Sequence, residues 1–126
     1  MKTLLLAAAL STSASFAFAA DRYTLDASHS QILFSYNHLG FSTTFGMFSG
    51  FEGEIMFDAE DPAASSVSVS MPTKSMFTGW EQRDGHFMSP DFFGAADDDL
   101  ISFASTGIEV PGDGTALITG DLTMND

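Results

Sequence analysis

Apolar and polar residues alternate along most of the chain after residue 20, and this period of two predicts β-strands. The clearest strand is 66–71, in which Val67, Val69 and Met71 alternate with serines. The same alternation recurs in the segments 31–37, 51–57 and 101–103. Successive side chains of a strand point to opposite faces, so each segment has one apolar and one polar face. The sequence therefore predicts an all-β fold with one buried sheet face.

Two further features of the pattern concern the last strands. The apolar positions change parity at Gly107, between 101–103 and 108–110, which predicts a β-bulge at this glycine. The Pro-Gly-Asp-Gly sequence at 111–114 predicts a hairpin turn, because these residues favour the backbone angles that tight turns require. The last two strands are therefore expected to be antiparallel neighbours.

The segment between Lys74 and Asp99 interrupts the alternation. Within it, residues 79–90 predict a loop with one short helical turn that ends before Pro90, since proline cannot continue a helix. Strands at hairpin spacing with almost no helix indicate an antiparallel barrel or a sandwich. Periodicity alone does not choose between these two architectures.

The first 19 residues predict a cleavable secretory signal peptide. Lys2 gives a short positive region, Leu4–Leu10 an apolar core, and Ala17-Phe18-Ala19 the small-x-small pattern that signal peptidase cleaves. The apolar run is shorter than the roughly 20 residues needed to cross a bilayer, which disfavours the alternative of an N-terminal membrane anchor. We expect a soluble, periplasmic product of residues 20–126 without a transmembrane segment.

The charge of the chain excludes two classes of partner. The sequence has 17 Asp and Glu residues against four Lys and Arg, a formal net charge of −13, and every acidic residue lies beyond residue 20. Such a field repels the phosphates of nucleic acids and disfavours electrostatic docking on anionic lipid. Cysteine is absent, so no disulfide supports the fold, and the Phe residues, 13 in the sequence and 11 after residue 20, supply much of its core. We expect one small acidic domain over residues 20–126.

Several motifs follow one another in a recognisable order. They are Tyr23-x-Leu25-Asp26-x-x-His29-Ser30-x-Ile32-x-Phe34, His38-Leu39-Gly40, Gly46-x-Phe48-x-x-Phe51-x-Gly53, Arg83-Asp84-x-His86-Phe87-x-Ser89-Pro90-Asp91-Phe92-Phe93, Ile101-x-Phe103-x-Ser105 and Gly120-Asp121-Leu122-Thr123. In order and spacing the chain resembles the YceI-like family of exported proteins. The first two motifs match the opening strand of the family, and the third fits the strand that follows it. Two positions depart from the family's pattern: Gly85 replaces a larger polar residue and Phe87 a leucine.

The resemblance implies an antiparallel lipocalin-like barrel whose interior holds an isoprenoid lipid, such as a polyprenyl chain or a quinone tail, without another cofactor. A barrel of about eight strands admits one slender apolar ligand when its inward positions are not filled. The candidate lining consists of the inward strand positions and the aromatic residues near Pro90, namely Ile32, Phe34, Tyr36, Phe51, Ile55, Phe57, Val67, Val69, Met71, Phe87, Phe92, Phe93, Ile101 and Phe103.

These residue types are also those of an ordinary packed core, and composition does not decide between a core and a ligand cavity. The aromatic residues near Pro90 would form either a lid over one mouth of the barrel or part of that core. Arg83 and Lys74 are the candidate partners of a polar or phosphorylated head group, because cations are scarce after residue 20.

The sequence ends where the family continues. In the family, residues 120–123 open a further pair of strands, whereas this sequence stops at Asp126. We therefore expect an incomplete barrel that lacks the closing C-terminal strands. We favour a fragment of a longer protein, and the alternative is a sheet that closes through a second chain, for example in a homodimer. Unpaired strand edges invite such pairing.

Catalysis and metal binding are not predicted. Asp84, His86 and Ser89 have the residue types of a hydrolytic triad, but closeness in sequence is no evidence of triad geometry, and no nucleophile-elbow motif is present. We expect Arg83 and Asp84 to anchor their loop through an ion pair or backbone bonds. The predicted function is isoprenoid binding, transport or storage; the alternatives are a periplasmic hydrolase on the same barrel and an interaction module that completes its sheet with a partner.

Overall fold

The computed structural model describes residues 20–124. The predicted signal peptide, residues 1–19, lies outside this range and stays a prediction. Within the described range, no helix is both long enough and apolar enough to cross a membrane.

Antiparallel β-strands form most of the regular secondary structure of the described residues, as the alternation predicted. The strands are β1 (Asp21–Thr24), β2 (Ile32–His38), β3 (Ser42–Phe48), β4 (Glu52–Phe57), β5 (Ser66–Pro72), β6 (Leu100–Glu109) and β7 (Leu117–Thr123). One helix, α1 (Glu81–Met88), and two short 3-10 turns, Pro62–Ala64 and Thr73–Ser75, complete the regular elements.

The strands form two sheets. Five of them pair in the order β1-β4-β5-β6-β7, and β2 and β3 form a separate hairpin. Met47 on β3 and Phe77 join their backbones by two N–H···O bonds of 2.9 Å, which tie the hairpin to the segment that follows β5. Within residues 20–124 the two sheets do not close into a barrel.

The register confirms the predicted alternation of faces. Val67 on β5 lies opposite Ile55 on β4, and Val69 lies opposite Phe103 on β6. Partners that face each other across a ladder point to the same side of the sheet. The apolar positions of β4, β5 and β6 therefore share one face, and only their depth of burial differs.

Both features predicted for the last strands are confirmed. The register between β6 and β7 shifts between Ser105 and Gly107, where the parity change predicted a bulge. The turn between these strands contains Gly112 and Gly114, both with positive φ. The carboxylate of Asp113 accepts the backbone N–H of Thr115 at 3.0 Å, which closes the turn.

Two predicted boundaries were wrong. The motif from Gly46 to Gly53 is not one strand, since β3 ends at Phe48 and the chain crosses to the other sheet through Gly50, which has a φ of +72°. The segment 79–90 holds an α-helix of eight residues where one helical turn was expected. The helix was underestimated because its residues are mostly polar and only one side of it meets the core.

The apolar core joins the hairpin to the five-stranded sheet. It is formed by Phe48, Phe51, Met71, Met76 and Ile101, of which Ile101 is only 4% exposed. Phe34 and Phe93 pack against this cluster from the hairpin and from the segment after α1. The core is therefore concentrated at one end of the sheet, while the outer part of the β4–β6 face remains half-buried.

Candidate ligand-binding site

A partly open cavity of about 980 Å³ lies between the β2–β3 hairpin and helix α1. Its walls are the inner face of the hairpin, the first turns of α1, and the segment after the helix. The lining residues are Phe34, Tyr36, His38, Ser42, Thr44, Phe48, Met76, Trp80, Gln82, Arg83, His86, Phe87, Phe92, Phe93 and Met124.

The hairpin contributes one of its two faces to the cavity. Tyr36 lies opposite Thr44 in the ladder, and His38 lies opposite Ser42, so these four side chains point to the same side. Leu33 and Phe45, at positions of the other parity, point away from the cavity and are exposed. The period of two thus separates a cavity face from a solvent face on the same strands.

A glycine allows the aromatic floor of the cavity to form. Gly46 pairs with Phe34, and a Cβ at Gly46 would lie only 2.3 Å from Cζ of the Phe34 ring. The ring therefore covers the glycine on its cavity side. It also meets Phe48 with a centroid separation of 5.5 Å, which continues the aromatic surface along β3.

The opposite wall is a set of edge-to-face and tilted aromatic contacts. Phe87 of α1 contacts Tyr36 across the cavity at a centroid separation of 5.9 Å and Phe92 at 4.9 Å. Phe93 contacts Phe48 at 6.5 Å in an edge-to-face arrangement. Two planar, rigid side chains from each side thus hold the helix and the hairpin together while leaving space between them.

Helix α1 is held in place by a buried threonine. Thr78 is 8% exposed; the Asp84 carboxylate accepts its backbone N–H at 2.9 Å and also its hydroxyl. Arg83 donates from Nε to the Thr78 hydroxyl and from Nη2 to the Thr78 carbonyl, each at 2.7 Å. The prediction that Arg83 and Asp84 anchor their loop through backbone bonds is confirmed. This anchor fixes the cavity wall that α1 supplies.

Replacing Asp84 with alanine is expected to destabilise the protein by about 2 kcal/mol, because the buried N–H and hydroxyl of Thr78 lose their acceptor. Urea denaturation measures this difference. Asp84→Asn is the matched control, since its amide oxygen accepts the same bonds without the charge, and we expect it to lose less than half as much. An equal loss in both variants would contradict the hydrogen-bond explanation.

The cavity has a polar side along α1, formed by Arg83 and His86. Arg83 lies beside the Trp80 ring, with Cζ 5.8 Å from the ring centroid, and its Nη1 takes no part in the anchor at Thr78. His86 contacts Phe92 at a centroid separation of 5.0 Å, and its Nε2 lies 3.2 Å from the Asp91 carboxylate. A cation and an imidazole are therefore available to a polar ligand group on this side.

Lys74, the other head-group candidate, lies away from this cavity. Its Nζ donates to the Asp97 carboxylate at 2.6 Å, and this bond, together with the charge of Lys74, lowers the pKa of Asp97. Lys74 belongs to the 3-10 turn that follows β5 and lines a separate, smaller depression. Of the two candidate cations, the structure brings only Arg83 to the aromatic cavity.

The predicted lining residues fall into three groups. Those that line the cavity are Phe34, Tyr36, Phe87, Phe92 and Phe93. Those that form the buried core are Phe51, Met71 and Ile101. The remaining residues neither line the cavity nor belong to the buried core. They lie on β2 or on the half-buried and exposed parts of the five-stranded sheet, and they are Ile32, Ile55, Phe57, Val67, Val69 and Phe103. Ligand contact by any of them stays a prediction.

Sequence reasoning missed other lining residues, notably His38, Thr44, Met76 and Trp80. His38 continues the parity of Phe34 and Tyr36, so extension of the strand by two residues would have found it. Thr44 is polar and escapes a search for apolar positions. Met76 and Trp80 lie outside the strands, and no periodic signal marks them.

The residue types of a hydrolytic triad are present but do not form a relay. The Asp84 carboxylate is bound to Thr78, and His86 Nε2 faces Asp91. The Ser89 hydroxyl donates to the backbone carbonyl of His86 at 2.7 Å, so it does not contact the imidazole as a nucleophile would. Across residues 20–124, no three His, Cys, Asp or Glu side chains are grouped so that they could hold a metal ion.

Comparison with known proteins identifies one domain. Residues 23–126 match the YceI-like domain. A UPF0312 protein of Ectopseudomonas mendocina is 43% identical over 111 residues, which cover 86% of this chain and 58% of that protein. A UPF0312 protein of Pseudomonas syringae pv. tomato is 40% identical over 130 residues, which cover 99% of this chain and 67% of that protein. The chain thus spans about three fifths to two thirds of these relatives.

Two solved structures share the fold. Burkholderia cenocepacia BcnA matches with a TM-score of 0.68 and 22% identity, over 75% of this chain and 60% of that one. A mutant CJ YCEI protein with a monobromobimane guest structure matches with a TM-score of 0.62 and 29% identity, over 82% of this chain and 60% of that one.

Proposed function

The chain belongs to the YceI-like family, and from this premise we propose that it binds an isoprenoid lipid, of polyprenyl or quinone type, and carries or stores it in the periplasm without catalysing a reaction. The observation that carries the proposal is the aromatic cavity between the hairpin and α1, about 980 Å³ in volume. This is at the upper end of the 300–1,000 Å³ range typical of ligand sites.

The chemistry of the walls suits a long branched hydrocarbon. Apolar and aromatic side chains dominate the lining, and Phe34, Phe48 and Phe87 offer flat surfaces against which an isoprenoid chain packs. Each buried methylene group contributes about 0.8 kcal/mol, so a chain of several isoprene units needs few polar contacts to bind tightly.

Arg83 is the proposed partner of the ligand's polar end. Its free Nη1 and the His86 imidazole border the cavity on the same side of α1. A guanidinium donates to quinone carbonyl oxygens and also to a phosphorylated head group. We propose that the head group lies beside α1 and that the hydrocarbon extends towards Phe34 and Phe48.

The periplasmic location is supported by the signal-peptide pattern at residues 1–19. A lipid that leaves one membrane in an aqueous compartment requires a protein that shields it from water. The contacts of Asp84, His86 and Ser89 give no support to the hydrolase alternative.

The proposal is tested on protein that its host has processed. This protein is purified and extracted with organic solvent, and the extract is analysed by mass spectrometry. We expect an isoprenoid lipid in an amount stoichiometric with the protein. Delipidated protein is then offered a quinone and a polyprenol, and we expect it to take up at least one of them. A protein that carries no isoprenoid and takes up neither compound would contradict the proposed function.

A further inference from the structure

The turn between β2 and β3 presents two solvent-exposed apolar side chains, Leu39 and Phe41, which together are called the tip. Leu39 is 78% exposed and Phe41 is 89% exposed, which makes Phe41 one of the most exposed large apolar residues of the described chain. The turn is well defined: the Asn37 side chain accepts the N–H of Gly40 at 2.6 Å, and Phe41 N–H donates to the His38 carbonyl at 3.0 Å. These side chains are therefore held outward by an ordered turn.

Leu39 adopts a conformation that leucine rarely adopts. Its φ is +54°, and among residues 20–124 it is the one non-glycine residue with a positive φ. A branched apolar side chain disfavours this region, where glycine or asparagine would fit without strain. An apolar residue at a solvent-facing position that favours a polar one indicates that the side chain itself has a role.

The hairpin is also the uncharged part of a strongly acidic protein. No Asp, Glu, Lys or Arg occurs between Asp26 and Glu52, although the sequence contains 17 acidic residues. This gap spans all of β2, the turn and β3. Carboxylates are costly to bring against a hydrocarbon phase, and here they are absent from the segment that carries the exposed apolar tip.

The tip is next to the cavity. His38 and Ser42, which flank Leu39 to Phe41 in sequence, both line the cavity. Any surface that binds Leu39 and Phe41 would therefore lie close to the end of the cavity that His38 and Ser42 line. This position links the exposed side chains to the entry or exit of an apolar ligand.

We propose that Leu39 and Phe41 insert into the surface of a zwitterionic phospholipid bilayer and hold this end of the cavity against it. A bilayer accepts apolar side chains without a matching shape. Leu33 and Phe45 are also exposed on the hairpin but point from its outer face, so the tip alone is far too small for a stable interface with a second copy, which buries about 800 Å² on each partner. The net charge of −13 excludes attraction to anionic lipid, so the neutral bilayer is the surface that this tip fits.

Docking depends only on the tip, whereas its use for ligand transfer rests on the proposed isoprenoid binding. The experiment is co-sedimentation of the host-processed protein with phosphatidylcholine vesicles at millimolar lipid. We expect measurable binding of the natural protein, and at least a tenfold lower partition coefficient for Leu39→Ser combined with Phe41→Ser, because each removes a large apolar surface. Vesicles with added phosphatidylglycerol are expected to bind less protein at low salt.

Phe45→Ser is the matched control, since Phe45 is 70% exposed on the same hairpin but points from its outer face. We expect it to change vesicle binding by less than twofold. Equal losses in the tip and control variants, absence of binding by the natural protein, or a lipid-free dimer that dissociates when Phe41 is replaced would each overturn the proposal. Thr44→Trp, which narrows the cavity, is expected to keep vesicle binding, so failure of docking and failure of isoprenoid binding are distinguished.

Discussion

Replacement of Gly53 with alanine is expected to lower the free energy of unfolding by about 3 kcal/mol. A Cβ at this position would lie 2.3 Å from the backbone oxygen of Ser68 and 2.7 Å from Cα of Val69. Both atoms belong to β5, which pairs with β4 on one side and β6 on the other, so neither moves without disrupting a ladder. Gly53 also has a φ of +150°, which a side chain disfavours.

Gly85→Ala is the matched control for this prediction. Gly85 lies inside α1, and an added Cβ would meet no atom within 4 Å. Alanine is better than glycine in a helix by about 1 kcal/mol, so this variant is expected to be slightly more stable than the natural protein. Urea denaturation of both variants measures the two effects. Stability of Gly53→Ala within 1 kcal/mol of the natural protein would show that β4 and β5 separate more easily than their contacts indicate.

The strands were predictable because their signal is local. Val67, Val69 and Met71 alternate with serines, and a period of two fixes the face of each side chain without knowledge of the fold. The burial of Met71 and the partial burial of Val67 follow from this pattern. The hairpin turn at residues 111–114 was predictable for the same reason, since the turn residues themselves determine the backbone angles.

The cavity was only partly predictable because it depends on which elements meet. Phe34 and Val69 are both half-buried strand residues that pack against the core, yet only Phe34 also lines the cavity beside α1. The difference arises from the division into two sheets and from the helix placed beside the hairpin, both of which are long-range features. The scarcity of cations made Lys74 and Arg83 equal candidates for the partner of a ligand head group. Of the two, only Arg83 reaches the cavity wall, where its bonds to Thr78 hold it.

Substitution of Thr44 with tryptophan is expected to weaken isoprenoid uptake by at least tenfold. Thr44 lies opposite Tyr36 on the cavity face of the hairpin, so an indole there occupies space that the ligand would fill. Displacement of two methylene groups from the cavity costs about 1.6 kcal/mol, which already exceeds a tenfold change in affinity. Titration of delipidated protein with a quinone, followed through the quenching of tryptophan fluorescence and checked by extraction and mass spectrometry, measures the loss.

The neighbouring residue supplies the control for this variant. Thr43 has the same side chain on the same strand, but it points to the opposite, exposed face of the hairpin. Thr43→Trp therefore adds the same bulk and the same fluorophore without entering the cavity, and we expect uptake within twofold of the natural protein. If both substitutions weakened uptake equally, the loss would come from the hairpin's structure. If Thr44→Trp bound the quinone as well as Thr43→Trp does, the ligand would lie outside the cavity between the hairpin and α1.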